Sequence, residues 1–162
     1  AAACFMRESF NATRAALVCG IAVALVSLTG AVFPPGAWYE QLNQPAGTPP
    51  DIAFPIAWTL LYIGMAVAAW RVWRAAGIGR ALALFAAQLL LNALWMPVAF
   101  GAHALVWALI VIVALWLVLA ATFAAFWRID RLAGALLVPY LAWVSYAVYL
   151  NAGLLLLNWG SL

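Results

Sequence analysis

Lysine is absent from this chain, histidine occurs once (His103), cysteine twice (Cys4 and Cys19), and acidic side chains number four. Charged residues make up 7% of the sequence and apolar ones 70%, against roughly 25% charged in an ordinary soluble domain. A soluble fold of 162 residues has too little interior to hide that much apolar surface, so lipid must solvate most of it. The basic residues, all arginine, form no tract and do not alternate with aromatics in a solvated segment, which excludes a nucleic-acid surface. Two cysteines build no disulfide framework, and Cys19, inside an apolar run, reads as a small apolar filler. No His/Cys/carboxylate cluster offers a metal site. No Asp, Glu, Arg or His lies deep in an apolar run, which argues against an ion-coupled pump or antiporter. Ser27 and Ser145 have no His or carboxylate at comparable depth, so hydrolytic catalysis lacks a nucleophile–base pair. His103, alone in a short loop, reads as a solvent-facing turn residue.

What is present is a row of apolar segments, each near the ~20 residues that cross a bilayer as a helix. They predict an all-α membrane protein, a five-helix transmembrane bundle with a long structured loop between its first and second helices. The spans fall at about 13–33, 53–76, 80–100, 104–127 and 132–158, in one domain from 13 to 158. Pro34-Pro35 stops the first span. No A-x-A-type cleavage site follows it, so it is expected to stay as a span rather than leave as a signal peptide. Residues 1–12 form an N-terminal segment. Met6 opens the start-like RESFNATR, and residues 1–5 are set apart from the fold on that reading.

Charge orients the bundle. With five spans, the N-terminus and the second and fourth loops share one side, and all of Arg7, Arg14, Arg71, Arg74, Arg80, Arg128 and Arg131 fall there. The other side carries Glu40, Asp51 and His103 without a basic residue. The positive-inside rule therefore predicts a cytoplasmic N-terminus, with loop 34–52 and the C-terminus opposite. The alanine- and arginine-rich, lysine-free composition suggests a GC-rich bacterial genome and hence an inner membrane.

The ten tryptophans divide by position. Trp70, Trp73, Trp127 and Trp159 sit at span ends, as in an aromatic belt, and Trp107 and Trp116 read as lipid contact or helix packing. The remaining ones have polar company. Gln88, Asn92 and Trp95 fall at i, i+4 and i+7 on the third span, Trp58 and Tyr62 at i and i+4 on the second. On the fifth, Tyr140, Trp143, Ala147 and Asn151 share a stripe with Tyr146 near it. Amides in hydrocarbon need partners, so these stripes should face inward. Two readings stand: interhelical glue at about 1 kcal/mol or less per bond, or a ligand pocket. An aromatic-walled cavity with amides suits a flat, largely apolar ligand such as a tetrapyrrole, sterol or carotenoid, with amides fixing its orientation.

The blocks WYEQLNQP, TPP, FPIAWTLLY, AQLLLNALWMPVAFG and LLVPYLAWVSYAVYLN, in this order and spacing, resemble the translocator protein family. Its bacterial members are the tryptophan-rich sensory proteins, and its animal member the peripheral benzodiazepine receptor. The resemblance spans about residues 13–158. It implies a five-helix bundle, usually a homodimer, that binds porphyrins and in some members sterols or synthetic isoquinoline and benzodiazepine ligands. No cofactor is required; the porphyrin is a ligand. The implied pocket opens toward the first loop, which covers it as a lid. By matching motif, Trp38 and Tyr39 would be lid and upper-wall residues, Trp58 and Trp143 the facing indoles, Asn92 the polar contact, and Trp95 and Ala147 wall residues. Tyr62 and Gln88 join them on the inward stripes.

The function so implied is that of an integral membrane binding protein for a porphyrin or other apolar small molecule, in regulation or trafficking. One alternative is light-dependent porphyrin degradation, with Trp58 and Trp143 as redox-active indoles. A second is a subunit or assembly factor of a larger, pigment-containing membrane complex, for which Ala83/Ala87 and Ala120/Ala124 offer small-residue faces. Two departures from the family pattern bear on the ligand. Where relatives carry P-x-W-x-P-P, this chain reads Pro45-Ala46-Gly47-Thr48-Pro49-Pro50, which removes a bulky lid residue and predicts looser closure or a different ligand shape. Nothing basic follows Arg131, so the animal cholesterol-recognition pattern is incomplete.

Overall fold

The computed structural model describes residues 2–161, with side chains from 11 to 160; Ala1 and the side chains of Cys4 and Arg7 lie outside the described residues. The architecture is all-helical, with five helices long and apolar enough to cross a membrane. Helix α1 runs Ala2–Val32, and its membrane-length apolar part is Asn11–Val32. A short α2, Ala37–Glu40, sits in the first loop. Then come α3 (Ala53–Ala76), α4 (Arg80–Met96), α5 (Leu105–Ile129) and α6 (Arg131–Leu157). Helix α4 continues into a π-helical turn, Pro97–Gly101, and a 3-10 turn, Trp159–Ser161, follows α6.

Each boundary has a local cause. Pro34-Pro35 ends α1, because proline carries no N–H for the ladder. Pro55 is tolerated in the first turn of α3, where N–H groups have no intrahelical acceptor. Gly77 closes α3 at φ +70, a left-handed conformation that suits glycine. The RIDR turn between the last two spans contracts to one residue: Asp130 ends α5 and caps α6, its Oδ1 accepting from Leu132 N (2.8 Å) and Ala133 N (3.1 Å).

The spanning helices close into a ring in the order α1–α3–α6–α5–α4 and back to α1. Small residues permit the closest approaches. Gly134 of α6 lies on Trp127 of α5, where an added Cβ would stand 2.8 Å from the Trp127 Cα. The interior is filled by Met65, Val72, Phe85, Ile112, Leu119, Phe126, Leu137 and Val144. The outer faces carry exposed Leu, Ile and Val along every span, as lipid solvation requires.

The two ends of the ring differ. At one end Arg71 of α3 reaches Asp130 (Nη2–Oδ2 2.8 Å), Arg74 lies over the Trp70 ring and Arg131 over Trp127. Trp70 also donates to the Ala12 carbonyl of α1 at 3.1 Å. At the other end the 34–52 loop folds across the bundle. Trp38 stacks on His103 with ring centroids 4.1 Å apart and planes 11° from parallel. His103, in its turn at φ +53, is exposed as the sequence predicts and carries a lid residue on its ring.

Candidate aromatic cavity beneath the first loop

Two layers of side chains occupy the ring beneath the loop, and they separate the two readings of the polar stripes. The deeper layer is a hydrogen-bonded relay across three helices. Tyr62 OH of α3 donates to Asn92 Oδ1 of α4 at 3.0 Å, and Asn92 Nδ2 donates to Tyr140 OH of α6 at 2.8 Å. Tyr140 OH in turn donates to Gln88 Oε1 at 2.8 Å, and Gln88 Nε2 points to Met65 Sδ at 3.9 Å. Tyr140, Gln88 and Asn92 are buried. Their polar groups are turned on one another, which is interhelical glue.

Above this layer lies a small cavity of about 40 Å³ lined by Tyr39, Phe54, Trp58, Trp95, Ala99, Phe100, Leu105, Trp143, Tyr146, Ala147, Leu150, Asn151 and Leu154. Trp58 joins the layers: its ring stacks on Tyr62 (5.4 Å) and meets Tyr140 (6.1 Å) and Trp143 (6.5 Å) edge-on. Phe54 packs edge-on against Trp143 at 6.0 Å, and Tyr146 packs edge-on against it too, also at 6.0 Å. Trp95 donates to Asn151 Oδ1 at 3.2 Å, while Asn151 Nδ2 donates to the Ala147 carbonyl at 2.8 Å. The wall is thus aromatic and nearly apolar, and its one amide is held by the wall itself.

The structure gathers Tyr39, Trp58, Trp95, Trp143 and Ala147 around this space. It places Tyr62, Gln88 and Asn92 in the relay below, so the amide at the wall is Asn151 of α6 rather than Asn92 of α4. Trp38 lies over His103 instead of in the lining. Phe54, Phe100, Leu105, Leu150 and Leu154 complete the wall without having been singled out from sequence. Phe100 and Ala99 get there through the π turn. Pro97 has no N–H to offer the preceding turn, and its carbonyl accepts from Ala102 N, five residues on, at 2.8 Å. The widened turn brings Phe100 edge-on to both Tyr39 (5.5 Å) and Trp95 (5.6 Å). Gly101 fits there because a Cβ would stand 2.9 Å from the Phe33 ring.

The lid is held from beneath and from the side. Pro45 lies buried on Gly153 of α6, where a Cβ would come within 2.6 Å of the proline ring. Asn158 clasps the Asn43 backbone, its Oδ1 accepting from Asn43 N at 2.9 Å and its Nδ2 donating to Asn43 O at 3.0 Å. Pro45-Ala46-Gly47-Thr48 forms a turn closed by Thr48 N to Pro45 O at 3.3 Å, with Gly47 at φ +82, the type II geometry that calls for glycine. Tyr146 OH donates to Gly47 O, and Tyr149 OH donates to Ala46 O at 2.9 Å. Tyr39, in α2, is buried; that burial, with the Asp51 carboxylate, raises its phenol above the ordinary value and keeps it protonated.

The free volume is small, about 40 Å³, whereas sites for drug-sized ligands span roughly 300–1,000 Å³. The wall offers indole and phenyl faces to a flat apolar group. A group of that size would need the lid to lift or the wall to part.

The chain is similar to known proteins over most of its length. The profile of the TspO/MBR family matches residues 15–157. The tryptophan-rich sensory protein of Cereibacter sphaeroides is 49% identical over 131 residues, covering 81% of this chain and 83% of that protein. Protein CrtK of Rhodobacter capsulatus is 43% identical over 147 residues, 86% of this chain and 90% of its own length. The translocator protein of Sus scrofa is 38% identical over 119 residues, 70% of each.

Proposed function

The chain belongs to the TspO/MBR family of membrane proteins, and from that premise we propose that it is a membrane receptor for a flat apolar ligand of the tetrapyrrole class, serving regulation or trafficking rather than turnover. One observation carries the reading: Trp58, Trp95 and Trp143 converge with Tyr39, Phe54, Phe100 and Tyr146 on one space beneath a docked loop. Seven aromatic side chains turned inward on a membrane bundle leave stacking and burial as the means of binding. Each aromatic pair adds about 0.5–1.5 kcal/mol beyond the area it removes from water. A single wall amide, already engaged by Trp95, leaves little to select a strongly polar ligand. The bundle would sit in a bacterial inner membrane with its arginine-bearing end in the cytoplasm, so that the lid faces the opposite compartment.

Titration of the purified protein with protoporphyrin tests the reading. Saturable quenching of tryptophan fluorescence is expected, with affinity about tenfold weaker in Trp143→Ala, the loss of one stacked ring and its buried area. Thermal unfolding of the variant near the wild-type temperature would show that the fold is intact. Affinity unchanged in both Trp143→Ala and Trp58→Ala would remove the cavity as the binding site.

A further inference from the structure

We propose that Tyr146 and Tyr149 of α6 form a latch on the lid, and that ligand enters and leaves the cavity where this latch releases the 43–48 segment; the second half rests on the ligand-binding reading above. The two phenols lie one turn apart on α6 and stack with ring centroids 6.2 Å apart, planes 19° from parallel. Both hydroxyls donate to consecutive backbone carbonyls, Ala46 O and Gly47 O. The Gly47 turn puts these two carbonyls at the lid edge that faces α6. Because the acceptors are backbone, the latch does not depend on side chains at 46 and 47, and the Ala46-Gly47 segment closes without a bulky ring.

Tyr146 has a second contact that gives the latch a purpose. Its ring lines the cavity and packs on Trp143 at 6.0 Å, while its hydroxyl holds the lid. A ligand large enough to occupy the space must displace this ring, and displacing the ring withdraws the hydroxyl from Gly47. Filling the cavity and freeing the lid edge are then one motion. Tyr149 does not line the cavity, so it holds the lid without touching ligand. The start of the same segment is tethered farther along α6, by the Asn43–Asn158 clasp and the Pro45–Gly153 contact. The segment can lift at one edge while staying tethered at the other.

Hydrogen exchange by mass spectrometry on the full chain in lipid nanodiscs reads the latch without any ligand. Tyr149→Phe and the Tyr146→Phe/Tyr149→Phe pair should raise exchange at Thr48, whose N–H closes the lid turn on Pro45 O, by roughly threefold to tenfold per hydroxyl removed, the range one net hydrogen bond supports, with the five spans unchanged. Gly153→Ala, which crowds Pro45 from below and leaves both phenols in place, should raise the same amide. Lid exchange unchanged in the tyrosine pair overturns the latch. Stopped-flow quenching with protoporphyrin IX reads the gate. In Tyr149→Phe, association and dissociation should both quicken by a similar factor, so that Kd moves less than either rate. Faster lid exchange with unchanged rates overturns the entry route and keeps the latch. Absence of protoporphyrin binding by the unsubstituted protein overturns the ligand reading itself, and the exchange result still decides the latch.

Discussion

Tyr140 is the residue on which the deep layer turns. Its hydroxyl accepts from Asn92 and donates to Gln88, both at 2.8 Å, in a site closed to water. Tyr140→Phe keeps the ring that meets Trp58 edge-on but leaves an amide N–H and an amide carbonyl without partners. Buried groups left so cost about 1–3 kcal/mol, moderated in membranes because the unfolded chain also finds partners. A loss of about 1–2 kcal/mol is expected from reversible unfolding in mixed detergent micelles. Tyr62→Phe should lose less, since only one bond, to Asn92 at 3.0 Å, goes with it. Equal stability of Tyr140→Phe and the parent would mean that the relay holds nothing. The spacing of Gln88, Asn92 and Trp95 does place them on one face of α4, and that much was legible. Which of two inward amides reaches the cavity was not. Asn92 and Asn151 sit on different helices, and the rotation of each helix in the ring decides which side chain stands at the wall and which below it. That rotation is set by packing between helices, among residues far apart in sequence.

Helix ends carry most of the information that is local. The spans were legible because apolar run length, Pro34-Pro35 and Gly77 act on their own stretch of chain. The π turn at Pro97–Gly101 was half legible. Proline signals a broken ladder, but the direction in which Phe100 then swings follows from the close seat of Gly101 on Phe33, a contact between the π turn and the residue just past α1. The lid latch was not legible at all, since its acceptors are carbonyls that no residue type announces. The start of α6 offers a clean test at this scale. Asp130 takes the Ala133 and Leu132 N–H groups on one oxygen and the Arg71 guanidinium on the other. The Ala133 N–H foremost, then Arg71, hold its carboxyl below the ordinary range. A folded-state pKa lowered below the unfolded value means stabilisation fully present above the unfolded pKa and lost as pH falls through the folded one. Melting temperature should therefore drop on acidification below about pH 4. Asp130→Asn keeps a capping oxygen without the charge, so it should melt lower than the parent at neutral pH, with the difference closing as the parent's carboxyl is protonated. A gap constant from pH 7 to pH 3 would assign the effect to hydrogen-bond geometry rather than charge.

At the scale of the whole molecule, the ring is held by lipid-independent features at both ends that differ in kind. One end is cationic: Arg14, Arg71, Arg74, Arg80, Arg128 and Arg131 cluster there, with Asp130 paired to Arg71 and two of the others lying over indoles. The other end is aromatic and amide-rich, with the lid, His103 and the Asn158 clasp. The arginine-bearing end and the lid end lie at opposite ends of the ring, so charge selects between the two opposite orientations such a bundle could take in a bilayer. Arginine beside the spans is retained on the cytoplasmic side, which would expose the lid to the far compartment and make it the entrance for a ligand arriving from there. Single cysteines in a background lacking Cys4 and Cys19 read this directly. Gln41→Cys, in the exposed loop, should react with a membrane-impermeant maleimide in cells whose outer membrane has been permeabilised. Ile78→Cys, in the exposed turn between α3 and α4 and leaving every arginine in place, should react only after the inner membrane is broken. The reverse pattern would place the lid, and with it the latch and the cavity mouth, in the cytoplasm. Labelling of both sites in intact inner membranes would mean that six arginines at one end do not suffice to fix a single orientation.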